Sequence, residues 1–125
     1  METKKILVVD DEVPYVNVVK RIIESRSSYQ VLTATDGQTG LKLARTEKPA
    51  LILLDIVMPG MSGSDVAEDL LEDPLTRDIP IIFVTAVISK DEIRGSHGML
   101  GNRTFIAKPI VADELMAKIN EILSA

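Results

Sequence analysis

Asp10, Asp11 and Glu12 follow the apolar run Ile6–Val9, and Asp55 follows Leu51–Leu54. Thr85 and Ala86 follow Ile81–Val84, and Lys108 and Pro109 follow Thr104–Ala107. If the ends of these runs meet, three aspartates, a hydroxyl and an ammonium converge. Carboxylates a few ångströms apart repel by about 4 kcal/mol per pair at an effective dielectric of about 20. Such a group needs a cation, and Lys108 alone cannot balance it. Oxygen donors without His or Cys select a hard ion, and Mg2+ suits a site with few carboxylates, several waters and a phosphate. A carboxylate can attack phosphorus to give an aspartyl phosphate. That transfer depends mostly on positioning and charge neutralisation. A cation on the acids, the Lys108 ammonium, the Thr85 hydroxyl and backbone N–H groups would supply both.

Taken singly, each residue has an ordinary explanation. Asp10 and Asp11 suit the start of a helix near Pro14, because carboxylates favour helix N-termini. Asp55 could be a solvated turn residue, Thr85 the end of a strand, and Lys108 a surface lysine. Four separate run ends carrying complementary chemistry favour the joint explanation over the separate ones.

The runs must then be strands of one sheet with their C-terminal ends on the same side. Ile6–Val9, Val31–Ala34, Leu51–Leu54, Ile81–Val84 and Thr104–Ala107 are short and rich in β-branched residues. Most lack polar interruptions, as expected of parallel strands covered on both faces. Between them lie segments with helical spacing. Pro14 to Ser25 aligns Val16, Val19, Ile22 and Ile23, with Pro14 suited to the first turn. Further helices are expected from about Asp36 to Glu47, from Ser64 to Leu71 and from Asp113 to Leu123. Such alternation specifies an open α/β sheet with right-handed crossovers, and ligands bind such sheets beyond the carboxyl ends of the strands. The segment KDEIRGSHGMLGN should hold a fourth helix, short or irregular, because Gly95, Gly98 and Gly101 each cost about 1 kcal/mol against alanine. His97, the only histidine, is expected there as an exposed residue.

Composition narrows the function. The chain has 125 residues, a net charge of −5 and no cysteine. One domain, residues 1–125, is expected, without disulfides and without a broad basic surface for nucleic acid. The opening METKKILVV lacks a cleavage site and reads as a strand rather than a signal peptide. No run approaches the ~18 apolar residues of a membrane helix, so the expected location is the cytoplasm. Nothing matches a P-loop or G-x-G-x-x-G motif.

The segments ILVVDDE, ATDGQTGL, LILLDIVMPGMSG, IPIIFVTA and FIAKPI, in this order, resemble the receiver domain of two-component response regulators. The small chemotaxis regulator of bacteria is the compact example of that family. The resemblance covers nearly the whole chain. It implies a flavodoxin-like (βα)5 fold, doubly wound in three layers, with five parallel strands in the order 2-1-3-4-5. Asp55 would be the phosphoacceptor. Asp10, Asp11, Asp55 and the Val57 carbonyl would hold Mg2+, with Mn2+ able to substitute. Lys108 would bridge Asp55 and the phosphoryl oxygens, to which the Val57 and Ala86 N–H groups would donate. Thr85 and Phe105 would form the switch, Phe105 moving inward as Thr85 turns to the phosphoryl group. The Lys108–Pro109 bond would be cis, and the output face would be the fourth helix, fifth strand and fifth helix. The donor would be a sensor histidine kinase or a histidine phosphotransfer protein. The chain would be a monomer or a phosphorylation-dependent dimer, free-standing or part of a larger protein, with no membrane or direct nucleic-acid contact. It would catalyse only its own phosphorylation and dephosphorylation.

Three positions depart from the family pattern. Val57 and Val87, two residues beyond Asp55 and Thr85, are polar in chemotaxis-type regulators, where they orient the hydrolytic water. Valines there imply slow autodephosphorylation. Val111 stands where a Ser, Thr or Asp cap is common, at a cost of about 1 kcal/mol. Two competing readings are a Mg2+-dependent aspartyl phosphatase and a docking receiver that needs no phosphorylation. The first usually has a second acid where this chain has Val57, and the intact Asp10, Asp11, Asp55, Thr85 and Lys108 argue against the second.

Overall fold

The computed structural model describes residues 3–86, 99–100 and 103–124, with only the backbone described at 99, 100 and 103. In chain order the elements are β1 (Lys5–Val9), α1 (Val13–Arg26), β2 (Gln30–Ala34), α2 (Gly37–Glu47), β3 (Leu51–Asp55), α3 (Gly63–Glu72), β4 (Ile81–Thr85), β5 (Met99–Leu100), β6 (Arg103–Ala107) and α4 (Ala112–Leu123). All five expected apolar runs form strands, each within a residue of its expected bounds.

The five long strands are parallel in the order β2-β1-β3-β4-β6, the arrangement expected as 2-1-3-4-5. The sequence pattern did not indicate the two-residue β5, which pairs antiparallel to β6 at the sheet edge. The fourth helix expected before the last strand lies outside the described residues. So do Val87, Gly95, His97, Gly98 and Gly101.

Side-chain alternation along each strand feeds two cores. Ile6, Val8, Leu51, Leu53, Ile82, Val84 and Ile106 pack with Val16, Val19 and Ile23 of α1 and Leu115, Met116 and Ile119 of α4. Leu7, Val9, Ile52, Leu54, Phe83 and Phe105 pack on the other face with Ala44 of α2 and Val66, Ala67 and Leu70 of α3. This makes three layers, with the central strand β3 buried at every residue.

Caps fix where the helices start. Asp36 accepts from the Thr39 N–H at 2.8 Å to begin α2. Ser62 and Asp65 form a reciprocal capping box on α3. Pro14 occupies the first turn of α1. Val111 precedes α4 without a side-chain cap, as expected, and Asp113 and Glu114 in the first turn offset part of that loss.

Candidate phosphoacceptor and cation site

The sheet delivers its polar residues to one rim. Pairing of Val9 with Leu54 brings the ends of β1 and β3 side by side, so Asp10 and Asp55 emerge together. Carboxylate oxygens of Asp10, Asp11 and Asp55 lie within 4.8 Å of one another. Asp10 and Asp55 are each 4% exposed, while Asp11 is half-buried. The three residues present an all-oxygen donor set on the open side of the sheet, which fits a hard divalent cation such as Mg2+.

Backbone contacts hold these carboxylates. The Asp10 N–H donates to Ala34 O at 3.0 Å, and Asp10 Oδ1 accepts from the Glu12 N–H at 2.9 Å. The Val57 N–H approaches Asp55 Oδ1 at 3.4 Å. The turn after Asp55 closes when the Gly63 N–H donates to Ile56 O at 2.8 Å. A Cβ at Gly63 would collide with the Asp55 carbonyl oxygen and come 2.7 Å from Ile56 Cα, so this position needs glycine. Gly60 serves the same turn with a positive φ of 79°.

Lys108 enters from β6. Its backbone N–H donates to Thr85 O at 2.9 Å, and its peptide bond to Pro109 is cis, as the resemblance implied. The ammonium lies 2.9 Å from Asp10 Oδ2, 2.9 Å from Glu12 Oε1 and 3.6 Å from Asp55 Oδ2. Its nearest partners are therefore Asp10 and Glu12 rather than Asp55. Below it sits the Tyr15 ring, 4.5 Å from Nζ to the centroid. The Tyr15 hydroxyl accepts from the Ile110 N–H at 2.7 Å, tying α1 to the loop that carries Lys108.

Electrostatics follow from this crowding. Burial, then the charge of Asp10, pushes the Asp55 carboxyl up to about 6 against the pull of Lys108. Burial also works against the Lys108 charge, but hydrogen bonds to Asp10 and Glu12 and the charges of Asp10 and Asp55 outweigh it. The ammonium is held above the usual lysine range.

The other expected residues lie nearby. Thr85 ends β4 and is fully buried, with exposed Ala86 next to it. Phe105 is 7% exposed and stacks on Phe83 with ring centroids 5.3 Å apart, so it is already inside. Val57 is 60% exposed at the rim. Sequence reasoning did not assign roles to Glu12 and Tyr15. Their partners lie 96 and 95 residues away, and no local pattern reports such pairs.

The parallel sheet with this strand order thus brings an acidic rim and the Lys108 ammonium together at one end. The model of the response regulator receiver domain matches residues 6–120, and the chain belongs to that family. The response regulator PleD of Caulobacter vibrioides is 38% identical over 122 residues, covering 94% of this chain and 26% of that protein. Protein PilH of Pseudomonas aeruginosa is 36% identical over 121 residues, covering 96% of this chain and 98% of that one. The chain thus spans about a quarter of one relative and nearly all of the other. A receiver domain protein from Methanospirillum hungatei JF-1 has a similar structure, with a TM-score of 0.82 and 31% identity, covering 98% of this chain and 95% of that one. Members of this family are regulators rather than conventional enzymes, and phosphorylation on an aspartate is general among them.

Proposed function

We propose that Asp55 accepts a phosphoryl group from a sensor histidine kinase or a histidine phosphotransfer protein. We also propose that Asp10, Asp11, Asp55 and the Val57 carbonyl hold Mg2+ during the transfer. When bound, the cation would neutralise charge that builds on the transferring oxygens. The observation that carries this reading is the buried Asp55 carboxylate grouped with Asp10 and Asp11 and 3.6 Å from Lys108. Asp55 supplies the attacking oxygen, and its position at the end of a fully buried strand fixes the direction of attack. Lys108 stays protonated and offers its ammonium to the phosphoryl oxygens. The N–H groups of Val57 and Ala86 add neutral donors there.

Phosphorylation adds a charge of about −1.5 to −2. That charge draws the Thr85 hydroxyl and alters the packing around Phe105, carrying the signal to the face formed by β6 and α4. The exposed Val57 side chain offers a hydrolytic water no hydrogen bond, so the acyl phosphate is long-lived. Among the described residues no helix is long and apolar enough to cross a membrane. Incubation with acetyl phosphate and Mg2+, followed by intact mass, tests the assignment. One added phosphoryl group on the wild type and none on Asp55→Asn is the expected result.

A further inference from the structure

An ammonium has three N–H donors. At Lys108 the two shortest contacts go to Asp10 and Glu12, and the Tyr15 ring lies below. Asp55, the residue this lysine should serve, is the most distant of the three carboxylates. Asp10 cannot easily leave, because it is buried and anchored through both its backbone N–H and its side chain. Glu12 is different. It stands before the first turn of α1 with a side chain 60% exposed, and that side chain caps none of the helical N–H groups. Its carboxylate reaches across the rim to accept from the Lys108 ammonium instead.

We infer that Glu12 is a resting-state latch on Lys108, holding the ammonium short of Asp55 and yielding it to the incoming phosphoryl group. This rests on Asp55 being the phosphoacceptor. In the transfer from acetyl phosphate, the bond between phosphorus and the acetyl oxygen breaks as the Asp55 oxygen–phosphorus bond forms. Acetate leaves with the electron pair. No proton moves at Lys108 or Glu12, and only the partner of the ammonium changes, from the Glu12 carboxylate to a phosphoryl oxygen. Tyr15 keeps its place beneath the ammonium. Glu12 is thus a positioning residue that slows phosphoryl uptake, by a factor in the range of an exposed ion pair, about two- to fivefold.

The test compares rates of phosphoryl uptake from acetyl phosphate with Mg2+, followed by intact mass, in the wild type, Glu12→Gln and Glu12→Asp. Glutamine keeps the shape and removes the charge, whereas aspartate keeps the charge but falls short of Lys108. Both variants should take up phosphoryl groups about two- to fivefold faster. In metal-free protein the 15N signal of the Lys108 ammonium should shift in both variants. Acceleration of Glu12→Gln alone would mean that Glu12 merely repels the anionic donor, and would overturn the latch. Unchanged or slower uptake in both variants, or an unmoved Lys108 signal, would overturn it as well. A wild type that gains no phosphoryl mass overturns the phosphoacceptor assignment itself, a failure visible without any variant.

Discussion

At the scale of single residues, Asp55 is a carboxylate held where its charge is costly. Its carboxyl is raised to about 6, first by burial and then by Asp10. An acid that titrates higher in the folded protein than in the unfolded chain binds more protons when folded between those two values. Its contribution to stability therefore falls as pH rises from about 4 through about 6. Asp55→Asn keeps the shape without the charge. In chelator-treated protein at pH 8 it should be more stable than the wild type by about 1–2 kcal/mol, a range reduced for the solvent on the open side of the site. Urea unfolding should show the gap closing toward pH 4, and a gap independent of pH would contradict a cost that arises from the Asp55 charge. Val57 allows a second expectation at this scale. Val57→Asn would give a hydrolytic water a partner worth about one hydrogen bond, speeding loss of the phosphoryl group by about fivefold. A decay time course of the phosphorylated protein reads it directly.

At the scale of elements, the turn between β3 and α3 determines where Asp55 points. Gly63 closes that turn against the backbone of Asp55 and Ile56, so Gly63→Ala must displace it. The expected outcome is a loss of about 1–3 kcal/mol in unfolding free energy together with slower phosphoryl uptake. Wild-type stability in this variant would show that the turn yields freely. The elements themselves were largely legible in the sequence. Apolar runs such as Leu51–Leu54 mark doubly covered strands, and Val16, Val19 and Ile23 mark the buried stripe of α1. What periodicity could not show was which side chains meet across the fold. Lys108 meets Glu12 and Tyr15 because β6 ends beside the start of α1, and this proximity exists only after the sheet has formed. The resemblance implied an inward movement of Phe105, yet its ring already stacks on Phe83. A motif gives a residue's type at a position and not its rotamer. The short β5 escaped notice because two residues are too few to show alternation.

At the scale of the whole molecule, the sheet concentrates acid at one rim, where Lys108 is the cation that counters it among the described residues. Asp10, Glu12 and Asp55 face Lys108 and Asp11 adds a further carboxylate beside Asp10 and Asp55, so the metal-free fold carries unbalanced repulsion there. A cation that binds only the folded state should stabilise it, by about 2.7 kcal/mol at a hundredfold excess over its dissociation constant. Thermal unfolding with Mg2+ and with chelator should differ by several degrees in the wild type, and by much less in Asp11→Asn. An equal rise in both proteins would place the ion elsewhere. The grouping of Asp10, Asp11, Asp55 and Lys108 was readable from sequence because these residues sit at strand ends. The order in which its charges pair was not readable, because that depends on distances of a few tenths of an ångström.

The most direct measurement is intact mass after incubation with acetyl phosphate and Mg2+, on the wild type and Asp55→Asn side by side. A single added phosphoryl group on the wild type, absent from the variant and absent when Mg2+ is chelated, is the expected result. No added mass on the wild type, or equal labelling of Asp55→Asn, would contradict the assignment of Asp55 as the phosphoacceptor.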